Sequence, residues 1–348
     1  MTPSDQPDQL DPTRPRMQEG WERRHAALAL DAATIAALLQ PAFPGHSVRT
    51  AELLSGGLAN TNYKVTLAGL HEPVVLRLFT RDPAACQTEL DIYQLTGAHV
   101  PMPAILYADP TGEPHSRPYL VARWIDGTKL DALLAHGDEA AIASAAHTVG
   151  ATLAGLAAFP FARAGFFGPG LTIAQPLAPS TESVPAYVDE ALFTGAASAR
   201  LGPELTQALQ RLLRENAALL AAADTQTVLV HGDYKAQNLL VCQAGAGWNI
   251  AAVLDWEFAF AGSPLFDVAI CLRYADTLPP AFVSAFATGY RAHGGILPTD
   301  WRRIIRLLDL VNLCGFLAAP DARGPMIAEV TSLVRATVAG WQTVPRDV

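Results

Sequence analysis

A short polar loop near residue 233 brings together residue types that can carry out chemistry. The segment VLVHGDYKAQN, residues 228–238, reads as a buried strand that ends in an acid, a cation and an amide, namely Asp233, Lys235 and Asn238. Two strands follow this loop, and Asp255 ends the second of them, 22 positions after Asp233. Because a hairpin joins the two aspartates, both carboxylates can reach one edge of the sheet.

Two carboxylates and an amide oxygen suit a hard cation such as Mg²⁺, which usually works together with substrate phosphates. In phosphoryl transfer one carboxylate receives a hydroxyl proton, oxygen ligands hold the metal, and a cation meets the charge on the moving phosphoryl group. Taken singly, Asp233 and Asp255 are typical turn or cap residues. Their combination favours chemistry, whereas His231 is interpreted as a packing and hydrogen-bonding residue.

The elements that would position this loop form two groups along the chain. Three short strands (TAELL, TNYKVTL and VVLRLF), a helix from Pro83 to about Gly97 and two further strands form a β-rich unit. Asp82, a capping carboxylate followed by proline, indicates the start of that helix. From Asp126 onward the pattern is mostly helical, interrupted by one β island over 227–256. The predicted helices lie near 129–136, 138–158, 186–198 and 203–223.

Composition limits the class of protein. The 348-residue chain is 50% hydrophobic and 16% charged, which indicates a globular protein with a large core. A formal net charge of −9 argues against a protein whose main role is to coat nucleic acid. The four cysteines form no CxxC pair, and neither a leading apolar segment nor an uninterrupted membrane-spanning run is evident. We therefore expect a cytoplasmic protein that binds neither nucleic acid nor membrane.

The HGDxxxxN loop followed by Asp255-Trp256-Glu257 resembles the aminoglycoside phosphotransferase and choline kinase family, a relative of the protein kinases. The resemblance covers nearly the whole chain after its leading tail. It implies an α+β, bilobal, protein-kinase-like fold. The implied units are a flexible tail over 1–18, a nucleotide-binding N-lobe with a five-stranded antiparallel sheet and one helix over 19–123, and a mostly helical C-lobe with a short β island over 124–348.

The resemblance also implies roles for the residues of the loop. Asp233 would be the catalytic base or would orient the substrate hydroxyl, and Lys235 would face the transferred phosphate. Asn238 and Asp255 would hold Mg²⁺. Asp267 matches an aspartate that supports the loop structurally.

The nucleotide-binding residues implied by the resemblance lie mostly in the N-lobe. Kinases fold a loop over the phosphates at the position where this chain has Ser55, Gly56 and Gly57, although a hairpin turn is the alternative there. Arg77 stands where kinases carry a lysine on the third strand, and Glu89 on the next helix would be its partner.

A short segment between the two lobes would read the purine edge of ATP or GTP. The backbone groups of Arg123 and Ile125 are the predicted contacts. Trp124, which lies between them, is equally well interpreted as packing between the lobes.

The acceptor is expected to bind between the loop at Asp233 and the later helices. A polycationic acceptor would favour clustered acids there, but the candidates are scattered: Glu182, Asp189, Glu190, Asp276 and Asp309. An aminoglycoside, another antibiotic, an amino alcohol and a sugar all remain open, as does the oligomeric state.

The function predicted from these features is a Mg²⁺-dependent small-molecule kinase that transfers the γ-phosphate of ATP or GTP to a hydroxyl. The alternative, motivated by Arg77 in place of lysine, is a catalytically silent nucleotide-binding module. A protein kinase is less well supported, because no APE-type segment follows Asp255.

Overall fold

A five-stranded antiparallel sheet forms the amino-terminal lobe of the computed structural model, which describes residues 17–18, 20–21, 26–54, 60–113 and 117–345. Its strands are β1 (Val48–Leu53), β2 (Thr61–Leu67), β3 (Val74–Leu78), β4 (Ile105–Asp109) and β5 (Tyr119–Arg123). They lie in the order β1-β2-β3-β5-β4, so the helix between β3 and β4 crosses over the sheet. The predicted number and pairing direction of the strands are confirmed.

One helix packs on each face of this sheet. α1 (Ala32–Leu39) begins after Asp31, whose carboxylate accepts a hydrogen bond from the amide of Thr34 at 2.7 Å. The buried side chains of α1 pack against β2, along which buried and half-buried residues alternate. α2 (Ala85–Thr96) covers the opposite face, where Cys86 packs in one cluster with Phe79.

The alanine- and leucine-rich sequence at residues 26–30, just before α1, predicts a helix, but these residues are not helical. The amides of Leu28 and Leu30 donate to Thr61 Oγ1 and to the Tyr63 hydroxyl at 3.1 and 2.9 Å. Residues 26–30 therefore lie against β2, because these side chains satisfy the backbone amides that a helix would otherwise use.

Helices make up most of the carboxy-terminal lobe. They are α3 (Leu130–His136), α4 (Glu139–Gly155), α5 (Ser180–Phe193), α6 (Ala197–Leu201), α7 (Pro203–Asn216), α8 (Leu265–Cys271), α9 (Pro280–Ala292), α10 (Trp301–Ala318) and α11 (Gly324–Gly340). The helix predicted near 186–198 begins six residues earlier and is followed by the separate α6. The helix predicted over 203–223 continues as a 3-10 helix after Asn216.

Two small sheets, rather than one β island, lie in the helical lobe. The predicted hairpin is formed by β10 (Leu239–Ala244) and β11 (Gly247–Val253), and β10 also pairs with β6 (Thr128–Lys129). The strand before the polar loop belongs to a second sheet of β7 (Gly165–Phe167), β8 (Ile173–Pro176), β9 (Val228–Val230) and β12 (Phe260–Gly262). Strands of two to four residues are too short to show an alternating pattern, so the sequence does not reveal this division.

The apolar segment Glu139–Ala158 is long and apolar enough to cross a membrane by length and composition, and it is packed here against α9. A Cβ atom on Gly150 would lie 2.2 Å from the carbonyl oxygen of Phe286, and one on Gly289 would lie 1.9 Å from that of His147. The two glycines therefore allow the helix backbones to approach closely. This packing agrees with the interpretation of the segment as a packed helix.

The limits of the two lobes stay a prediction. The leading segment, of which residues 17, 18, 20 and 21 are described, contacts the helical lobe. Residues 1–16 of the predicted tail lie outside the described residues. Gln18 and Trp21 both bind Glu329 of α11. Trp21 falls within the range 19–123 that the sequence assigns to the N-lobe, so its contacts differ from that assignment.

Candidate active site

A cleft of about 630 Å³ between the two lobes brings together the predicted site residues that the structure describes. The predicted residues that line it are Arg77, Glu89, Arg123, Ile125, Asp233, Lys235, Asn238 and Asp255. The predicted glycine loop, Ser55, Gly56 and Gly57, lies outside the described residues.

A buried carboxylate holds the loop after β9 in shape. Asp267, in the first turn of α8, is 1% exposed and accepts hydrogen bonds from the amides of His231 and Gly232 at 2.6 and 2.9 Å. Burial raises the pKa of Asp267 to about 7, although the two amide donors oppose this shift. These bonds agree with the supporting role that the resemblance implies for Asp267.

The loop also needs a glycine and a buried anchor. Gly232 has φ = +79°, and a Cβ atom there would lie 2.3 Å from the carbonyl oxygen of Phe258, so a side chain would be both strained and blocked. Two residues later, the hydroxyl of the fully buried Tyr234 donates to the carbonyl of Val149 in α4 at 3.0 Å. The packing of α4 thereby fixes the position of the loop.

His231 links the polar loop to the segment that carries Asp255. The amide of Asp233 donates to Nδ1 of His231 at 3.1 Å, so Nε2 carries the proton and donates to the carbonyl of Leu254 at 3.0 Å. Burial lowers the pKa of His231, which favours the neutral ring that this pattern requires. The contacts agree with the predicted hydrogen-bonding role of His231.

The carboxylate of Asp233 lies within a small network of loop residues. Its Oδ2 atom lies 2.9 Å from the Lys235 ammonium and accepts a hydrogen bond from Nδ2 of Asn238, also at 2.9 Å. Nδ2 of Asn238 donates to the backbone carbonyl of Asp233 as well, at 3.0 Å. The three residues predicted from the loop motif therefore contact one another directly.

Asp255 faces the same cleft in a strained backbone conformation. Its φ is +68°, in the left-handed region that non-glycine residues seldom occupy. Its carboxylate forms a short ion pair with Arg77, whose guanidinium also lies 3.5 Å from the carboxylate of Glu89. The predicted pair of Arg77 and Glu89 is thus present, and Asp255 joins it.

Burial and nearby opposite charges have opposing effects on the pKa values of Arg77, Asp255 and Glu89. Burial opposes the charge of Arg77, but Asp255, Glu89 and Glu257 together raise the pKa of the guanidinium. Burial likewise opposes ionisation of Asp255, yet Arg77 holds the pKa of Asp255 below its usual value. For Glu89 burial dominates and raises the pKa to about 7. Arg77 therefore stabilises the anion of Asp255 more than that of Glu89.

Asn60 and Glu257 belong to the site, although the sequence analysis assigned them no role. Nδ2 of Asn60, beside β2, donates to Oε2 of Glu257 at 2.9 Å and so connects the two lobes. Burial and the nearby Asp255 raise the pKa of Glu257, and its Oε1 atom is buried without a partner among the described residues. The Asp-Trp-Glu motif was the available signal for Glu257, whereas no pattern marked Asn60.

An apolar slot lies beside these charges. Val75 and Ala122 line it from the N-lobe, and Leu240 and Val253 line it from the hairpin of the helical lobe. Apolar surfaces of this kind suit a flat aromatic ligand.

The segment between the lobes has one backbone amide that is already bonded within the protein. The amide of Arg123 already donates to the carbonyl of Ala104 at 2.8 Å, so it is not available to a base. Ile125 lines the cleft, and its backbone contact with a purine stays a prediction. The ring of Trp124 packs under the ammonium of Lys64 of β2, 3.9 Å from the ring centre, so this contact lies within the N-lobe and the predicted packing between the lobes stays a prediction.

The donor atoms in the cleft fit Mg²⁺ together with phosphates. Asn238 uses Nδ2 for both of its side-chain hydrogen bonds, so these bonds do not engage its Oδ1. The carboxylate of Asp255 supplies a second oxygen donor. Within the described part of the chain no group of three or more His, Cys, Asp or Glu forms a complete metal site. Phosphate and water oxygens would have to complete the octahedral shell that Mg²⁺ requires.

Comparisons with known proteins agree with this geometry. A model of the phosphotransferase enzyme family matches residues 50–305. No curated protein sequence matches the chain. Among solved structures, the complex of a thermostable mutant of APH(4)-Ia with AMP-PNP and hygromycin B has a TM-score of 0.64 and 20% identity, and the match covers 88% of this chain and 98% of that one.

A second solved structure gives the same result. The complex of APH(2")-IIia with GDP and kanamycin has a TM-score of 0.66 and 18% identity, and the match covers 88% of this chain and 99% of that one. At these identities the likeness establishes the fold, which is the protein-kinase-like fold of the aminoglycoside phosphotransferases.

The matched family model covers most of the chain, and the chain belongs to the phosphotransferase enzyme family. The predicted family, fold and enzyme class are confirmed.

Proposed function

We propose that this protein is a Mg²⁺-dependent small-molecule kinase that transfers the γ-phosphate of ATP or GTP to a hydroxyl group of a small acceptor. One observation carries the proposal: the Asp233 carboxylate contacts Lys235 and Asn238 at 2.9 Å in the cleft that Asp255 also lines. The nucleotides and aminoglycosides bound to the two structural relatives support the same pairing of substrates.

Each residue of the loop has a distinct task in the proposed reaction. Asp233 orients the acceptor hydroxyl and receives its proton as the new O–P bond forms. Lys235, which lies beside Asp233, meets the negative charge on the transferred phosphoryl group. When bound, Mg²⁺ supplies charge neutralisation at the phosphates, and Asn238 and Asp255 are the residues that would hold it.

Arg77 has two tasks in this proposal. It fixes Asp255 and Glu89 through its two ion pairs, and its guanidinium is a donor for nucleotide phosphate. The Nε atom of Arg77 is buried without a hydrogen-bond partner among the described residues, so it retains capacity for a ligand.

We also propose a cytoplasmic location. All four cysteines are free, and three of them are buried. Unpaired thiols are typical of proteins in a reducing compartment.

The proposed reaction is tested with Asp233→Asn and a panel of hydroxylated acceptors. We expect phosphate transfer from ATP or GTP by the wild-type protein in Mg²⁺ and loss of transfer with EDTA. The variant should lose about a hundredfold or more in kcat, because the amide cannot receive the proton. Phosphorylated acceptor is measured by mass spectrometry.

The matched control is Asp189→Asn, an exposed aspartate on α5 whose only described contact is a hydrogen bond from Gln210 at 3.1 Å. It should keep the wild-type rate. Unchanged transfer by Asp233→Asn would refute the assigned base. Nucleotide binding that is independent of Mg²⁺, without transfer to any acceptor, would instead support the silent module.

A further inference from the structure

Met17, Gln18 and Trp21 of the leading segment lie against the half of the cleft where the acceptor is expected. This acceptor half extends from the Asp233 loop towards α10 and α11, and the residues that line it include Trp21, Arg273, Asn312, Phe316, Asp321 and Met326. Trp21 precedes α1 in sequence by ten residues, yet it packs with the core of the helical lobe.

Glu329 of α11 binds this segment with both of its carboxylate oxygens. Oε2 accepts a hydrogen bond from the indole nitrogen of Trp21 at 2.8 Å, and Oε1 accepts one from the amide of Gln18 at 3.2 Å. The hydroxyl of Tyr274 donates a short hydrogen bond to the same carboxylate. Three donors from two parts of the chain therefore converge on one side chain, which orients the indole ring.

The segment also contacts the catalytic loop directly. Nε2 of Gln237, which lies between Lys235 and Asn238 in the loop, donates to the carbonyl of Met17 at 3.2 Å. The ring of Trp21 packs edge-on against Phe316 of α10, with 5.2 Å between the ring centres. Trp21 and Phe316 therefore form an aromatic wall in the cleft that Asp233 also lines.

The charges in the acceptor half do not suit a polycation. None of the five scattered acids that the sequence analysis considered lines the cleft. Asp309, the buried one, is bound by the guanidinium of Arg273 through bonds of 2.6 and 2.9 Å. Over the described part of the whole cleft, the lining carboxylates are Glu89, Asp233, Asp255, Glu257 and Asp321, and the lining cations other than the Asp309-bound Arg273 are Arg77, Arg81, Arg123, Lys129 and Lys235. These charges balance, so the cleft has no excess of negative charge for a polycation, whereas the wall offers two aromatic rings.

From this arrangement, and resting on the proposed kinase function, we propose that Trp21 is a specificity-determining residue and that the acceptor is a hydroxylated ring compound of low charge. An apolar face of the acceptor stacks on the indole ring of Trp21 and meets Phe316, whose ring is nearly perpendicular to the indole, at its edge. This contact directs a hydroxyl towards Asp233. Stacking on aromatic side chains favours flat or ring-shaped apolar surfaces. Asn312 and Met326 also line this half. The amide of Asn312 suits one hydrogen bond with the acceptor, and the side chain of Met326 suits further apolar contact with it.

The test compares Trp21→Ala with the matched control Phe193→Ala, which removes an aromatic side chain that is 63% exposed on α5. Two acceptor series are assayed, neutral hydroxylated macrocycles and glycosides in one and polycationic aminocyclitols in the other. We expect the wild-type protein to prefer the neutral series. Trp21→Ala should raise the acceptor KM about tenfold and change the nucleotide KM less than twofold.

Trp21→Phe serves as the variant that keeps an aromatic ring. It should recover most of the acceptor KM, because stacking needs the ring and not the hydrogen bond to Glu329. An unchanged acceptor KM in Trp21→Ala, or a preference of the wild-type protein for polycations, would overturn the inference. An equal rise in the acceptor KM and the nucleotide KM of Trp21→Ala would also overturn the inference, since that result indicates a general structural role.

Acceptor binding is measured separately from turnover, by calorimetry with AMP-PNP and Mg²⁺. Binding of the neutral series that weakens in Trp21→Ala, without any phosphate transfer by the wild-type protein, would refute the proposed kinase function and still support the aromatic wall. Absence of binding and of transfer for the whole neutral series would refute the proposed acceptor class.

Discussion

Arg77 and Asp255 form a constrained pair of residues in the cleft. Asp255 has a positive φ of 68°, and its carboxylate pairs with a guanidinium that Glu89 also contacts at 3.5 Å. Such strained backbone conformations persist only where the surroundings impose them, and they are common at functional sites. Here the ion pair, together with the bond from His231 to Leu254, supplies that restraint.

Removing the charge of Arg77 should have a large effect. Arg77→Met leaves Asp255 buried without its cation, so we expect a loss of about 3 kcal/mol in the free energy of unfolding and a fall of about a hundredfold in kcat/KM for the nucleotide. Urea unfolding and steady-state kinetics measure these two quantities.

Arg77→Lys is the matched variant that keeps the charge. An ammonium can pair with Asp255 but lacks the planar fork, so we expect an intermediate loss in both measurements. Equal stability of Arg77→Met and the wild-type protein would contradict the view that this ion pair holds Asp255.

At the scale of elements, close helix packing lies behind the loop that carries Asp233. α4 and α9 touch at Gly150 and Gly289, and α4 also receives the hydrogen bond from Tyr234. A shift of α4 would therefore be transmitted to the loop that carries Asp233.

Gly289→Ala should destabilise the protein through this contact. The new Cβ atom would lie 1.9 Å from the carbonyl oxygen of His147, so the helices must separate, and we expect a loss of about 2 kcal/mol or more. Thermal unfolding measures the loss. Gly155→Ala is the control within α4: its Cβ atom meets nothing within 4 Å, and stability should be unchanged or slightly higher. A similar effect of the two substitutions would contradict the packing described.

At the scale of the whole molecule, several polar contacts among the described residues join the lobes around the cleft. They include the ion pair of Arg77 with Asp255, the hydrogen bond of Asn60 to Glu257, and the bonds from the amide of Gly170 to Asp91 at 2.7 Å and from the amide of Val253 to the carbonyl of Pro101 at 2.8 Å. The ion pair involves groups of the proposed phosphate and metal site, so ligand binding and the relative position of the lobes are coupled.

The buried carboxylate of Asp267 should make the stability of the whole protein depend on pH. Its pKa is about 7 in the folded protein and about 3.9 for an unfolded aspartate, so the folded state binds the proton more tightly between these values. The contribution of Asp267 to the free energy of unfolding therefore falls as the pH rises from about 4 to about 7.

Asp267→Asn removes this titration. Urea unfolding at pH 5.0 and at pH 7.5 should show a larger fall in the free energy of unfolding for the wild-type protein than for the variant. The variant should be less stable at both pH values, because its side chain has one acceptor oxygen instead of two for the amides of His231 and Gly232. The same fall in both proteins would contradict the assignment.

The sequence by itself determined the chemistry and the order of the elements. The HGDxxxxN loop and Asp255 follow strands that local patterns reveal, and the N-lobe strands alternate clearly enough to predict the five-stranded sheet. These features are local, because motif spacing and burial periodicity depend on residues that are neighbours in the chain.

Only the tertiary structure decided which distant groups meet. The ion pair of Arg77 with Asp255 joins residues 178 positions apart, and the bond from Trp21 to Glu329 joins residues 308 positions apart. No local pattern encodes such contacts, since they depend on how two lobes and a leading segment pack together. The acceptor half of the cleft is built almost wholly from contacts of this kind, which is why the sequence left the acceptor open.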